Sequence, residues 1–335
     1  MMRIIIDAFG GDHAPLEVIK GSRRAADKFK DVQMVLAGPS STIRACAKEA
    51  RISLKGMEIL EAPGVFEMHY DPKLIVKECS DTSMAVGLLE LAEGKADAFV
   101  SAGSTGALVV GSTLIVKRIK GVRRGGIGVV LNGAKTPFLL LDAGANAECT
   151  PDMLVHFALL GSTYMQAALG IDKLRVGLAN IGTEEGKGDA LRQETYKLLA
   201  ANEHINFTGN IEAREIPLGG CDVVVTDGFT GNVILKLYEG MAKMMTNQFN
   251  HVFANPLGVF GLPAALPGLR GLKKRLDYKE QGGAPILGID GVVIKAHGSS
   301  DAKAFYNAIR QARLCVEGDM VAKMKEGLEA LKAEQ

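Results

Sequence analysis

The stretch Met2-Arg3-Ile4-Ile5-Ile6-Asp7-Ala8-Phe9-Gly10-Gly11-Asp12-His13-Ala14-Pro15-Leu16, continued by an amphipathic segment to Phe29, decides the fold. Residues 4–6 are a β-branched apolar run of strand type. They end on an acid and a glycine pair, and over 16–29 apolar residues recur with 3.6-residue spacing. Strand, glycine-loosened turn and helix form the repeating unit of an α/β protein. Similar apolar runs follow at 34–37, 57–60, 98–100, 127–131, 138–141, 176–179, 223–225 and 292–294, and helical spacing returns over 82–91 and 191–199. Strands alternating with helices predict a mainly parallel sheet covered on both faces, a three-layer Rossmann-like arrangement. Thr150-Pro151-Asp152 carries an N-cap hydroxyl, a first-turn proline and an acid, so a helix is expected from 151 to about 169, stopped by Gly170. We expect a single α/β catalytic domain over 1–335, without internal repeats.

Composition narrows the function. Apolar residues make up 47% of the 335 and charged residues 23%, a globular balance able to bury a large core. Lys plus Arg (39) against Asp plus Glu (38) leaves +1, so no global field draws the chain to nucleic acid. With no Trp and only 6 Tyr and 12 Phe, base-stacking platforms are not expected. The five cysteines stand singly, at 46, 79, 149, 221 and 315, which favours neither a zinc site nor a disulfide framework and fits a reducing cytoplasm. Arg3 and Asp7 bracket the first apolar run, so neither a signal peptide nor a membrane span is expected.

Glycine is abundant, 40 of 335 residues, where about 7% is usual. It gathers after the predicted strands: Asp7-Ala-Phe-Gly-Gly-Asp12-His13, Ser101-Ala-Gly-Ser104-Thr105-Gly106, Asp142-Ala-Gly-Ala-Asn146, Asn180-Ile-Gly-Thr-Glu-Glu-Gly-Lys187-Gly188, Asp227-Gly-Phe-Thr-Gly-Asn232 and His297-Gly-Ser299. In open α/β sheets ligands bind beyond the carboxyl ends of the strands. Freed backbone N–H groups and helix N-termini there make a rim suited to an anion. Familiar fingerprints are missing. Gly182-x-x-x-Gly186-Lys187-Gly188 is one residue short of a P-loop, no G-x-G-x-x-G occurs, and Ser104 lacks a G-x-S-x-G elbow. Asp222 and Asp227 fit capping and turn formation better than Mg²⁺ binding, so no metal and no cofactor is expected. Lys187 sits where a helix dipole disfavours a cation, which points to ligand contact, and His297 ends a strand before Gly-Ser.

The alternation breaks over 235–281. This segment is expected to be an inserted helical hairpin: a long helix from 235 to about 253, an apolar tip containing Leu257, Val259, Phe260, Leu262, Leu266 and Leu269, and a basic flank of Arg270, Lys273, Lys274 and Arg275. Apolar tip and basic flank together suit shallow insertion into an anionic membrane surface, the alternative being packing against a second copy of the chain or an acidic partner protein.

Taken in order, Ile-Asp-Ala-Phe-Gly-Gly-Asp-His-Ala-Pro, Ser-Ala-Gly-Ser-Thr-Gly-Ala-Leu, Leu-Leu-Asp-Ala-Gly-Ala-Asn, Asn-Ile-Gly-x-Glu-x-x-Lys-Gly and Asp-Gly-Phe-x-Gly-Asn-Val resemble the bacterial phosphate acyltransferases of phospholipid synthesis. Gly282-Gly283-Ala284, Leu287-Gly288 and His297-Gly298-Ser299 continue the likeness across essentially the whole chain. Ser104 stands where the family pattern leads us to expect Asn, and Gly128-Val129 replaces an Arg-Pro pair. The resemblance implies transfer of a long-chain acyl group from acyl carrier protein to inorganic phosphate. It also implies a homodimer, peripheral membrane association from the cytoplasm, with the membrane glycerol-3-phosphate acyltransferase as a candidate partner, and a fold like isocitrate and isopropylmalate dehydrogenases and phosphate acetyltransferase. For that chemistry we expect Ser104, Thr105 and Gly106 to hold phosphate with Lys187, and Asn146, Asn180 and Asn232 to orient the acyl carbonyl. His297 would protonate sulfur, and Asp12 and Asp227 complete the substrate-binding set. Two rival readings are a metal-dependent NAD(P) decarboxylating dehydrogenase, for which arginines are missing from the predicted strand ends, and a non-catalytic lipid-synthesis scaffold, which a costly polar rim disfavours.

Overall fold

The computed structural model describes residues 1–252, 268, 271 and 282–333. Strand β1 (Met2–Asp7) buries Ile4, Ile5 and Ile6 completely. Helix α1 (Leu16–Lys28) turns Val18, Ile19 and Ala25 inward. There follow β2 (Val32–Gly38), α2 (Ser40–Glu49), β3 (Met57–Glu61), α3 (Ser83–Ala92) and β4 (Ala98–Ser101). Helix α4 (Thr105–Gly111) runs straight into a π turn, Ser112–Val116. Next come β5 (Gly126–Ile127), β6 (Val129–Asn132), β7 (Pro137–Leu141), α5 (Pro151–Leu169), β8 (Val176–Asn180), α6 (Ala190–Ala200), β9 (Phe207–Glu212), β10 (Val223–Val225) and α7 (Gly228–Val252). The described chain closes with β11 (Ala284–Leu287), β12 (Val292–Lys295), α8 (Ala302–Glu317) and α9 (Met320–Ala333).

The described strands form two sheets where the pattern predicted one. Seven lie in the order β3-β2-β1-β4-β12-β11-β5, and five in the order β6-β7-β10-β8-β9. Most neighbours are parallel; β11 runs antiparallel to β12 and β5, and β6 antiparallel to β7. The division has a local cause. The run 127–131 is not one strand but two, broken at Gly128. Ile127 pairs with Ile286 in the first sheet, the Gly128 amide donates to the Pro285 carbonyl at 3.0 Å, and Val129 already pairs with Leu140 in the second. A side chain at 128 would press on Leu139 and Leu287, at 3.1 and 3.2 Å. Strands β9 and β11 escaped the apolar pattern because Thr208, Asn210 and Glu212 make one polar and Pro285 interrupts the other.

Helix α5 joins the two halves. It packs on β7 and β10 of one sheet, β11 of the other, and on α6, α8 and α9. Gly170 stops it at φ +66°, the left-handed C-cap expected. Thr150 holds the N-cap position with extended backbone, yet its hydroxyl makes no capping bond, a correction to the sequence expectation. Helix α7 begins at Gly228, seven residues before the expected start, because Asp227 caps it: the Thr230 amide donates to Asp227 Oδ1 at 2.9 Å. The tip and basic flank of the expected hairpin, Leu257, Val259, Phe260, Leu262, Leu266, Leu269, Arg270, Lys273 and Lys274, lie outside the described residues. Among the described residues no helix is long and apolar enough to cross a membrane.

Candidate active site

Three carboxyl strand ends meet under one helix: β4 leading to Ser104, β7 leading to Asp142, and β12 ending at Lys295. Two buried aspartates hold the first two turns. Asp7 accepts the Ser83 hydroxyl at 2.6 Å and the Ser101 hydroxyl at 2.7 Å, and Ser101 Oγ accepts the Gly103 amide at 3.0 Å. Burial pushes the Asp7 carboxyl up, against the pull of these donors. Asp142, fully buried, accepts the amides of Ile127, Gly144 and Ala145 on one oxygen, and the amide and Nδ2 of Asn146 on the other, at 2.7–3.1 Å. A carboxylate has about four lone-pair sites and no hydrogen, so it suits a turn that presents only N–H groups.

Helix α7 closes the site from above and can approach only because residue 231 is glycine. A Cβ there would lie 1.8 Å from the Asp142 carbonyl oxygen. Beneath α7 is a cavity of about 380 Å³ lined by Thr105, Gly144, Asn232, Lys236, Glu239, Lys295, His297 and Gly298, with Ile127, Val129, Leu131 and Leu235 as an apolar wall. Ser104 caps α4 through the Ala107 amide, at 3.4 Å, and Gly106 abuts Pro72, whose Cγ would sit 2.7 Å from a Cβ. Asp12 donates its amide to the Gly298 carbonyl at 2.8 Å, and its charge acts on Lys295 and His297.

Thr105, Asn232 and His297 therefore line one cavity, flanked by Ser104, Gly106 and Asp12. Four other residues of the expected set do not line it. Asn146 spends both Nδ2 hydrogens inward, on Asp142 Oδ2 and the Gly125 carbonyl at 2.9 and 2.8 Å. Asn180 ties the 181–188 loop, donating to the Lys187 carbonyl at 3.0 Å and accepting the Ile181 amide at 2.8 Å. Lys187 is exposed, its aliphatic stem lying over Gly182. Asp227 accepts the Thr230 hydroxyl at 2.8 Å and pairs with Arg192; burial would raise its carboxyl, but Thr230 and Arg192 outweigh it and hold the group low. Asp222, the other aspartate weighed for a metal, pairs with Arg175 at 3.0 Å.

One residue that sequence reasoning passed over stands in the cavity: Lys295. Its Nζ donates to the Ala296 carbonyl. Burial lowers its ammonium to about 8, with Asp12 and Asp7 pulling the other way and Lys236 adding to the fall. Its position at the end of a strand, two residues before His297, was the available signal. Burial also lowers His297, helped by Lys236, so the ring is neutral at neutral pH. The Ser299 amide donates to His297 Nδ1 at 3.2 Å, which leaves the ring proton on Nε2. The site can thus offer a cation, a neutral N–H donor and an amide side chain to an anionic, carbonyl-bearing substrate.

Known structures share this architecture. A phosphotransacetylase from Streptococcus pyogenes superposes with a TM-score of 0.62 at 16% identity, over 94% of each chain. The fold is that of the phosphotransacetylase class. The chain belongs to the family described as "Fatty acid synthesis protein", whose model matches residues 2–323, and is an enzyme of the phosphate acyltransferase group. The phosphate acyltransferase of Clostridium perfringens (strain SM101) is 43% identical over 326 residues, 97% of this chain and 96% of that one. That of Desulfitobacterium hafniense (strain Y51) is 44% identical over 337 residues, spanning both chains fully.

Proposed function

We propose that this enzyme transfers a long-chain acyl group from the thioester of acyl carrier protein to inorganic phosphate, giving an acyl phosphate for phospholipid synthesis. The observation that carries the reading is the half-buried ammonium of Lys295 lining the same cavity as Thr105, Asn232 and His297. A phosphate monoester loses its second proton near pH ~6, so inorganic phosphate is substantially a dianion at neutral pH and a nucleophile without a base. Lys295 holds it, with Ser104, Thr105 and Gly106 at the start of α4. A phosphate oxygen bonds to the thioester carbon, the carbon–sulfur bond breaks, and the phosphate hydroxyl proton ends on sulfur. A thiol pKa near ~8.5 makes that departure easy. His297 Nε2–H and Asn232 Nδ2 donate to the oxygen on which charge develops. A single donor of this kind is worth about 2.7–4 kcal/mol, and holding the reactants together about 7–11 kcal/mol more. His297 acts here as a neutral donor, a change from the acid role expected from the sequence. Asp142, Asn146, Asp227 and Asn180 are positioning residues that fix the turns, and Lys187 reaches the substrate only from outside the cavity.

A homodimer is part of the proposal. Phe229, Val233 and Met244 form an exposed apolar stripe along α7, at 69%, 54% and 47% exposure, and such a stripe favours burial against a second copy. Contact of the 257–274 segment with anionic lipid is supported by its sequence. The test is direct: incubate the protein with an acyl carrier protein thioester and phosphate and search for acyl phosphate by mass spectrometry. Phosphate-dependent acyl phosphate, lost in Ser104→Ala and lowered about 100-fold or more in His297→Ala, is expected. Absence of acyl phosphate from the parent protein overturns the reading.

A further inference from the structure

A second cavity, about 580 Å³, lies on the other flank of α7 and differs in kind from the first. Its lining is Phe138, Ile216, Pro217, Leu218, Ile234, Leu237, Tyr238, Met241, Ala242 and Met245, with the 132–134 turn at one end. Carbon dominates it, and Asn132 and Tyr238 are the polar side chains in it. The Tyr238 hydroxyl donates to the Asn132 carbonyl, and the Tyr238 ring stands edge-on to Phe138, centroids 6.3 Å apart. Consecutive residues of the same two elements serve both spaces. On β6, Leu131 lines the polar cavity and Asn132 the apolar one; on α7, Leu235 and Ile234 divide likewise. Leu131 and Leu235 of the polar cavity's apolar wall are thus each next in the chain to a residue that lines the second cavity.

We propose that this apolar cavity receives the hydrocarbon tail of the acyl donor while the thioester carbonyl lies beside His297. The inference rests on the acyl-transfer reading and names the binding site of the chain. Three observations select an alkyl chain as the occupant. The space is built on β6 and α7, the elements that carry Val129, Leu131 and Leu235 of the polar cavity's apolar wall. Its volume falls within the roughly 300–1,000 Å³ of ligand pockets, and it lacks the charges that a head group would need. Met241 and Met245, unbranched and adaptable, are the residue type that accommodates chains of differing length.

The experiment measures kcat/KM for acyl carrier protein thioesters from four to sixteen carbons, on the full-length protein and on Ala242→Trp, which fills the cavity from α7. Each methylene that gains a place in the cavity should raise kcat/KM about fourfold. In Ala242→Trp the climb should stop at shorter chains, with the four-carbon donor turned over within about twofold of the parent rate; Met245→Phe should show a smaller shift of the same sign. An unchanged chain-length profile in folded Ala242→Trp overturns the proposal, and so does a variant that becomes monomeric in sedimentation while keeping its profile, which would give the cavity to a second copy. A parent protein inactive on every donor removes the acyl-transfer reading and the tail site together, whereas an active parent with an unshifted variant removes the tail site alone.

Discussion

Replacing Lys295 by methionine keeps the unbranched stem and removes the charge. Burial takes this ammonium from the ordinary 10.5 to about 8. At about 1.4 kcal/mol per tenfold change in proton affinity, holding it charged at neutral pH costs the fold about 3 kcal/mol. The variant should therefore be more stable than the parent at pH 7 by up to that amount. For a chain this long, with an unfolding entropy of about 0.7 kcal/mol per degree, the gain is about 4 °C in Tm. The sign of the pH dependence follows from linkage. The folded-state value lies below the unfolded one, so between about 8 and 10.5 the unfolded chain binds more protons; parental stability then rises with pH across that window. The advantage of the variant should be full below pH 8 and fade toward pH 10.5. Phosphate should protect the parent, by about 2.7 kcal/mol at a hundred times its Kd, and leave the variant unmoved, while turnover falls about 100- to 1,000-fold. Differential scanning calorimetry at pH 7, 8, 9 and 10, with and without phosphate, reads all of this. A Lys295→Met protein that melts below the parent at pH 7, or whose advantage is flat with pH, refutes the electrostatic reasoning. One still protected by phosphate refutes the assignment of Lys295 as the phosphate cation.

Asp142→Asn should destabilise the fold by about 3 kcal/mol, because an amide NH₂ would face backbone donors that now share a carboxylate; urea unfolding monitored by circular dichroism measures it. Gly231→Ala should also destabilise, by about 2 kcal/mol or more, although alanine in a helix ordinarily gains about 1 kcal/mol. Here the new methyl would stand 1.8 Å from the Asp142 carbonyl, and overpacking costs about 1–3 kcal/mol before backbone displacement is counted. A Gly231→Ala protein as stable as the parent would show that α7 can lift from the 142–146 turn. Alkylation by iodoacetamide at pH 8 should leave Cys221 and Cys315 intact in the folded protein, since burial pushes both thiols up to about 12, and mass mapping of the modified cysteines checks it.

Much of the architecture was legible in the chain. Runs such as 4–6 and 223–225 are buried on both faces and read as continuous apolar strands, while the helices over 16–29 and 151–169 carry their own spacing and stop signals. Of the site, the glycine-rich strand ends showed where chemistry gathers, because a turn that must expose N–H groups advertises itself by composition. Which residues meet there was another matter. Asn146 and Asn180 have the donor chemistry expected of substrate ligands but spend it inward, on Asp142, the Gly125 carbonyl and the Lys187 carbonyl. Lys295 reads as the polar end of a strand and becomes the half-buried cation of the cavity only when β12, β4 and α7 come together around it. Local order, the alternation of strand, turn and helix, follows from periodicity and turn propensity that neighbours in sequence supply. The passage between sheets at Gly128, the approach of α7 over Gly231 and the depressed ammonium of Lys295 depend on atoms distant in sequence, and so only the tertiary structure decides them.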